Sequence, residues 1–130
     1  MAGRLILIVE DNPRNLKLVR DVLTFAGYRT LEAENAEDAL KLAREYSPDL
    51  ILMDVQLPGM NGDEALRRLR DIPAARATPV VALTAFAMKD DRDRLLAAGF
   101  QGYLVKPISV RDFPGQVEQL LGTSATEAGR

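Results

Sequence analysis

The stretch "DLILMDVQLPGMNG" (residues 49–62) decides how this chain folds. Leu50, Ile51, Leu52 and Met53 run straight into Asp54, and a turn rich in Pro, Gly and Asn follows at once. An apolar run that short, closed by turn residues, reads as a strand covered on both faces, as parallel sheets require. A carboxylate at the end of such a strand is costly unless its charge is offset or it takes a proton. The fold must therefore bring a counter-charge to Asp54.

Outward from this strand the pattern repeats. "LILIV" (5–9) and "VVAL" (80–83) are further continuous apolar runs, while "YRTLEA" (28–33) and "GYLV" (102–105) are more mixed, as edge strands tend to be. Amphipathic stretches lie between them. Asn12 caps the first, with Pro13 at its first position and Leu16, Val19, Val22, Leu23 and Ala26 as an apolar stripe ending at Gly27. Asn35 caps the second, with Ala39, Leu40, Ala43 and Tyr46 facing inward, and Ser47-Pro48 stops it. Asp63 and Glu64 favour the start of a third that carries Ala65, Leu66 and Leu69 and stops at Pro73. A fourth spans roughly 87–98 before Gly99. Ser109 opens a fifth with Phe113, Val117, Leu120 and Leu121 on its stripe, in which Pro114-Gly115 is expected to cause a kink or a late start.

Five strand–helix units predict an α/β three-layer sandwich, because each parallel crossover returns over a sheet face. With the mixed strands at the edges, the five-stranded parallel sheet takes the flavodoxin-like order 2-1-3-4-5, with five helices. One domain fills residues 1–122, and the small polar residues of 123–130 predict a disordered tail.

Composition narrows the chemistry. At 130 residues the chain is one domain, and its net charge of −2 gives no electrostatic reason to expect nucleic acid or an anionic membrane as partner. No apolar run approaches the ~20 residues of a spanning helix, so a cytoplasmic location is expected. Without Cys there is no disulfide frame and no thiolate site; without His there is no Ser-His-Asp triad and no imidazole ligand. Any metal would be held by oxygen, which points to a hard cation such as Mg²⁺.

In a sheet of this order, ligands bind beyond the carboxyl ends of the strands, at the switch point between strands 1 and 3. Strand 1 ends in Glu10-Asp11, strand 3 in Asp54, strand 4 in Thr84 and strand 5 in Lys106-Pro107. Each alone has a bland explanation: Asp54 as a turn cap, Glu10-Asp11 as first-turn acids, Thr84 as a β-branched strand residue, Lys106 as a solvated lysine. Together they form a complementary set. Three carboxylates repel one another, and a Mg²⁺ ion with the Lys106 ammonium would neutralise them. Asp54 is then left as an oxygen nucleophile for an in-line phosphoryl group, whose oxygens Lys106 and the Thr84 hydroxyl would bind.

At this point the chain resembles a response-regulator receiver domain (the CheY-like fold), through "LIVEDN" (7–12), "DLILMDVQLPGMNG" (49–62), "PVVALTA" (79–85) and "YLVKP" (103–107). "ALTAFAMKDDRDR" and "KPISV" are closer still to the stand-alone receivers of bacterial cell-cycle phosphorelays, the DivK type. The resemblance implies that Asp54 is the phosphoacceptor and that Glu10, Asp11, Asp54 and the Gln56 backbone carbonyl hold Mg²⁺, with Mn²⁺ as a substitute. It implies phosphoryl-binding roles for Thr84 and Lys106, a switch role for Tyr103 and a cis peptide bond at Pro107. The donor would be a histidine kinase or a histidine phosphotransfer protein. With no output domain expected, the signal would pass by contact with a protein effector, or through a weak homodimer. Such a protein is no enzyme, beyond assisting its own phosphorylation and dephosphorylation.

Four other readings meet resistance. A flavodoxin-like FMN carrier wants a Ser/Thr/Gly-rich loop where this chain has "VEDNPRN". A haloacid-dehalogenase-type phosphatase wants a carboxylate where Gln56 stands. A phosphorylation-independent interaction module would lack part of the set, which is complete. A receiver excised from a hybrid histidine kinase is disfavoured by Met1 and by a tail without linker pattern.

Overall fold

Every residue of β1 (Leu5–Val9), β3 (Leu50–Asp54) and β4 (Val80–Thr84) is buried. In the computed structural model, residues 4–57, 60, 62–85, 89–106 and 108–129 are described, with 89 and 122–129 described in backbone only. The three apolar strands form the centre of a parallel five-stranded sheet. The mixed strands β2 (Arg29–Ala33) and β5 (Gly102–Val105) lie at its edges, in the order β2-β1-β3-β4-β5. The expected order is the one observed.

Strand alternation divides the core in two. Ile6, Ile8, Leu50, Leu52, Val81, Leu83 and Leu104 face α1 (Pro13–Phe25) and α5 (Phe113–Gly129). Leu7, Val9, Ile51, Met53, Val80 and Ala82 face α2 (Ala36–Tyr46), α3 (Gly62–Arg70) and α4 (Lys89–Ala98). The α1 and α2 starts follow the sequence: Asn12 Oδ1 accepts from the Arg14 and Asn15 N–H groups, and Asn35 Oδ1 from that of Asp38. Gly27 takes a φ of 100° just beyond the α1 C-cap, a conformation cheap only for glycine. A short 3-10 turn at Pro73–Ala75 follows α3, and Arg70 Nη1 donates to the carbonyls of Ala75, Arg76 and Thr78 at 3.2, 3.0 and 2.8 Å, tying that connection to β4.

Three local expectations change. Tyr46, expected inward, is 52% exposed, because it occupies the last position of α2. Ala26, expected on the α1 stripe, is exposed at the helix C-cap. Ser109 opens a turn rather than the regular helix: its carbonyl accepts from the Phe113 N–H at 2.9 Å, and its hydroxyl from that of Asp112 at 3.3 Å. Regular α5 begins at Phe113, so Pro114 falls in the first turn, where its missing N–H leaves no gap. The helix is late, not kinked by Pro114. Its backbone continues to Gly129, over the segment for which the sequence predicts disorder.

Candidate functional site

The carboxyl ends of β1, β3, β4 and β5 meet at one edge of the sheet. Val9 pairs with Met53, Asp54 with Leu83 and Thr84 with Val105, so Glu10 and Asp54 are level, Thr84 lies one residue further on and Lys106 two. Glu10 is 1% exposed and Asp54 5%, while Asp11 is exposed. One carboxylate oxygen from each of Glu10, Asp11 and Asp54 lies within 4.8 Å of the others.

Lys106 reaches between two of them. Its Nζ lies 2.8 Å from Asp54 Oδ2 as a hydrogen-bonded ion pair, and 2.8 Å from Glu10 Oε1. Glu10 Oε2 accepts from the Asn12 N–H at 3.2 Å. Glu10 Oε1 pairs with the ammonium but lacks a hydrogen-bonding geometry; among the described residues it is the one buried side-chain oxygen without a hydrogen bond. A buried carboxylate oxygen with spare lone pairs, beside two more carboxylates, suits a hard cation taking oxygen ligands. The donor set therefore fits Mg²⁺.

Burial pushes the Glu10 carboxyl above its ordinary 4.5; Lys106 opposes the rise, and the Asp54 carboxylate adds to it. Burial also works against the Lys106 ammonium, but its ion pairs with the Asp54 and Glu10 carboxylates prevail and raise its pKa above the ordinary lysine value. For Glu10 the sign is clear. The fold binds this proton more tightly than the unfolded chain does, so the contribution stabilises at low pH and is lost as pH rises through the raised value. Once ionised, Glu10 burdens the fold, and a cation relieves it. Mg²⁺ must displace the same proton. Its affinity, measured by titration calorimetry, is expected to fall about tenfold per pH unit once pH drops below the raised Glu10 pKa, above the range where an ordinary glutamate would first compete. Mg²⁺ affinity flat down to pH 4.5 would contradict this.

The remaining expected residues lie around this centre. Gln56 is exposed, and its backbone N–H donates to Asp54 Oδ1 at 2.9 Å, fixing the turn that follows the strand. Thr84 is 2% exposed, and its carbonyl accepts from the Lys106 N–H at 2.8 Å. Alternation places Thr84 on the face opposite Asp54, the face of Ala82 and of Ala82's β5 neighbour Tyr103. Tyr103 is half-buried against that core, and its hydroxyl accepts from Arg92 Nη1 at 3.1 Å. Pro107 and its peptide bond, and the apolar Phe86 and Met88 that follow Thr84 in the sequence, lie outside the described residues.

One positioning residue escaped the sequence reading. Gly62 N–H donates to the Val55 carbonyl at 3.3 Å, and a Cβ on Gly62 would come within 3.0 Å of Val55 Cα. The start of α3 thus packs against the residue beside Asp54, so closely that a Cβ there would have to push the Val55 backbone back by a few tenths of an ångström. Gly62→Ala is expected to cost about 1–2 kcal/mol in urea unfolding, as overpacking outweighs alanine's better helix propensity, and to disturb the Asp54 turn. Unchanged stability would show that the segment gives way freely. The signal in the sequence was the second glycine of "PGMNG", which reads equally well as a plain turn residue.

A family model for the response regulator receiver domain matches residues 6–118. The polar-differentiation response regulator DivK of Brucella anthropi is 48% identical over 117 residues, covering 90% of this chain and 95% of that protein. The receiver domain of a sensor histidine kinase from Pseudomonas aeruginosa, solved with a magnesium ion coordinated in its active-site cleft, superposes with a TM-score of 0.84 at 36% identity, over 93% of this chain and 99% of that one. Chemotaxis protein CheY4 of Vibrio cholerae gives a TM-score of 0.85 at 28% identity, over 91% and 98%.

Proposed function

The chain belongs to the response regulator receiver family of two-component signalling, and from that premise we propose that Asp54 is its phosphoacceptor, charged from a phosphohistidine in a Mg²⁺-dependent reaction. The observation that carries this reading is the Glu10–Lys106–Asp54 ion cluster at the sheet edge, with Asp11 beside it and one buried carboxylate oxygen left without a hydrogen bond. Glu10, Asp11, Asp54 and the Gln56 carbonyl hold the ion. When bound, Mg²⁺ neutralises the carboxylates and spreads charge building on the phosphoryl oxygens; Mn²⁺, of the same ligand preference, substitutes.

The chain's own groups do the rest. The Gln56 N–H holds one Asp54 oxygen, which orients the carboxylate. Lys106 binds a phosphoryl oxygen with the ammonium that now bridges Glu10 and Asp54, and the Thr84 hydroxyl turns to another. Thr84 shares its sheet face with Tyr103, so its movement lets the aromatic ring turn towards the site, a packing change with two discrete states. That converts a local charge into a change at the β5–α4 surface.

The donor is a histidine kinase or a histidine phosphotransfer protein, and the output is a contact with a protein effector or a weak homodimer, in the cytoplasm. Exposed apolar surface on the α1/α5 side supports docking of the phosphoryl donor by contact. Phe25 is 95% exposed and Val110 58%, and with Leu18, Val22 and Pro114 they line a groove of about 430 Å³ between α1 and the start of α5. No helix among the described residues is long and apolar enough to cross a membrane.

Intact mass after incubation with acetyl phosphate tests the proposal. A single phosphoryl adduct is expected with Mg²⁺ and none with EDTA. An adduct that forms equally well in EDTA, or neither adduct nor Mg²⁺ binding, would overturn it in favour of a phosphorylation-independent binding module.

A further inference from the structure

The run "KDDRDR" (89–94) reads as a solvated helix face, yet Arg92 in it is engaged. Its Nη1 donates to the Tyr103 hydroxyl at 3.1 Å, and its guanidinium carbon lies 5.9 Å from the centre of the same ring. A hydrogen bond and a cation–π contact to one residue hold that ring in place from α4. On the sheet, Tyr103 is level with Ala82, and Thr84 follows two residues on, on the same face. The ring is thus held by Arg92 from α4 and shares its sheet face, diagonally across the strands, with the residue that answers to the phosphoryl group.

We propose that Arg92 is a positioning residue for the receiver reaction: it holds Tyr103 in the resting arrangement and so sets the balance of the switch. The inference rests on the reading of Asp54 and Tyr103 given above. A ring that turns towards Thr84 gives up both contacts with Arg92, so these contacts stabilise the resting state alone. Linkage then requires that losing them favours the turned state and any ligand at Asp54 that selects it. Simple electrostatics has the opposite sign, since removing a cation weakens the binding of an anionic group. The direction of the change therefore separates the two effects. A partner that offers a carboxylate to the Arg92 guanidinium competes with Tyr103 in the same way, so its binding and phosphorylation reinforce each other.

The test uses the full chain with 3-fluorotyrosine incorporated, and beryllium trifluoride with Mg²⁺ as a phosphoryl mimic. The Tyr103 resonance is assigned by its loss in Tyr103→Phe. In the wild-type chain the mimic is expected to shift that resonance. In Arg92→Ala without the mimic, the resonance is expected part of the way to the bound position, and affinity for the mimic rises about threefold to tenfold. Arg92→Lys, which keeps the charge but not the planar fork, falls between. The variant keeps α4 in place, because buried Leu95 anchors that helix. In a Tyr103→Leu background, Arg92→Ala gives no increase. Unchanged or weaker affinity in Arg92→Ala, or the same increase in the Tyr103→Leu background, overturns the role of Arg92 and leaves the Asp54 reading standing. A wild-type Tyr103 resonance that does not move with the mimic bound overturns the Tyr103 switch and Arg92 with it. Failure of the mimic to bind, together with no adduct from acetyl phosphate, overturns the phosphoacceptor reading itself.

Discussion

Asp54→Asn is expected to abolish the phosphoryl adduct while leaving the fold intact. The amide's single oxygen still accepts from the Gln56 N–H, now 2.9 Å from Asp54 Oδ1, while its NH2 replaces the oxygen 2.8 Å from Lys106, which keeps its ion pair with Glu10. The variant loses the anionic nucleophile, which no neighbour replaces: Glu10 is buried and committed to Lys106, and Asp11 is exposed to solvent. The Glu10 carboxyl loses a repulsive neighbour, so its titration moves back towards the ordinary glutamate value. Intact mass and thermal melting report both halves. An adduct of undiminished yield on Asp54→Asn would move the acceptor to Asp11 or Glu10.

The second large effect belongs to Lys106→Met. Methionine keeps most of the side-chain volume and removes the ammonium that lies 2.8 Å from both Asp54 and Glu10. Two largely buried carboxylates are then left facing each other, and breaking such a pair from one side costs about 3 kcal/mol or more. The loss is expected at neutral pH in EDTA, read by urea unfolding. It is expected to shrink when Mg²⁺ is added, and also at lower pH, where Glu10 takes up a proton and the repulsion goes. Phosphorylation by acetyl phosphate falls at least about tenfold even with Mg²⁺ present, because a donor to the phosphoryl oxygens is gone. Stability unchanged at pH 7 in EDTA would show that Lys106 does not carry the cluster's neutralisation.

What was legible in the sequence was what strands announce directly. Three continuous apolar runs gave the sheet centre, the two mixed runs gave its edges, and the residues closing the runs gave Glu10, Asp54, Thr84 and Lys106. Less legible was whatever depends on how elements meet. Tyr46 fits an inward stripe by spacing, but it closes α2 and has no packing partner to cover it fully. Pro114 reads as a helix breaker until the Ser109 turn shows where α5 begins. Arg92 lies in a charge run like any solvated helix face, and only the packing of α4 against β5 gives it Tyr103. The facing of Thr84 was within reach: counting alternate residues along β4 from Ala82 separates it from Asp54, once the register of β3 against β4 is known.

That facing makes the domain a two-port device. Asp54 and Lys106 belong to the side of the sheet lined by α1 and α5, whereas Thr84 and Tyr103 belong to the side lined by α2, α3 and α4. At a strand end, and nowhere else in a sheet, neighbouring side chains of opposite facing can touch around the rim. The charge is written on one side and read on the other. A protein that delivers the phosphoryl group need not stand where the reader stands, so input and output can be tuned by separate sets of surface residues, with the rim as their single point of exchange.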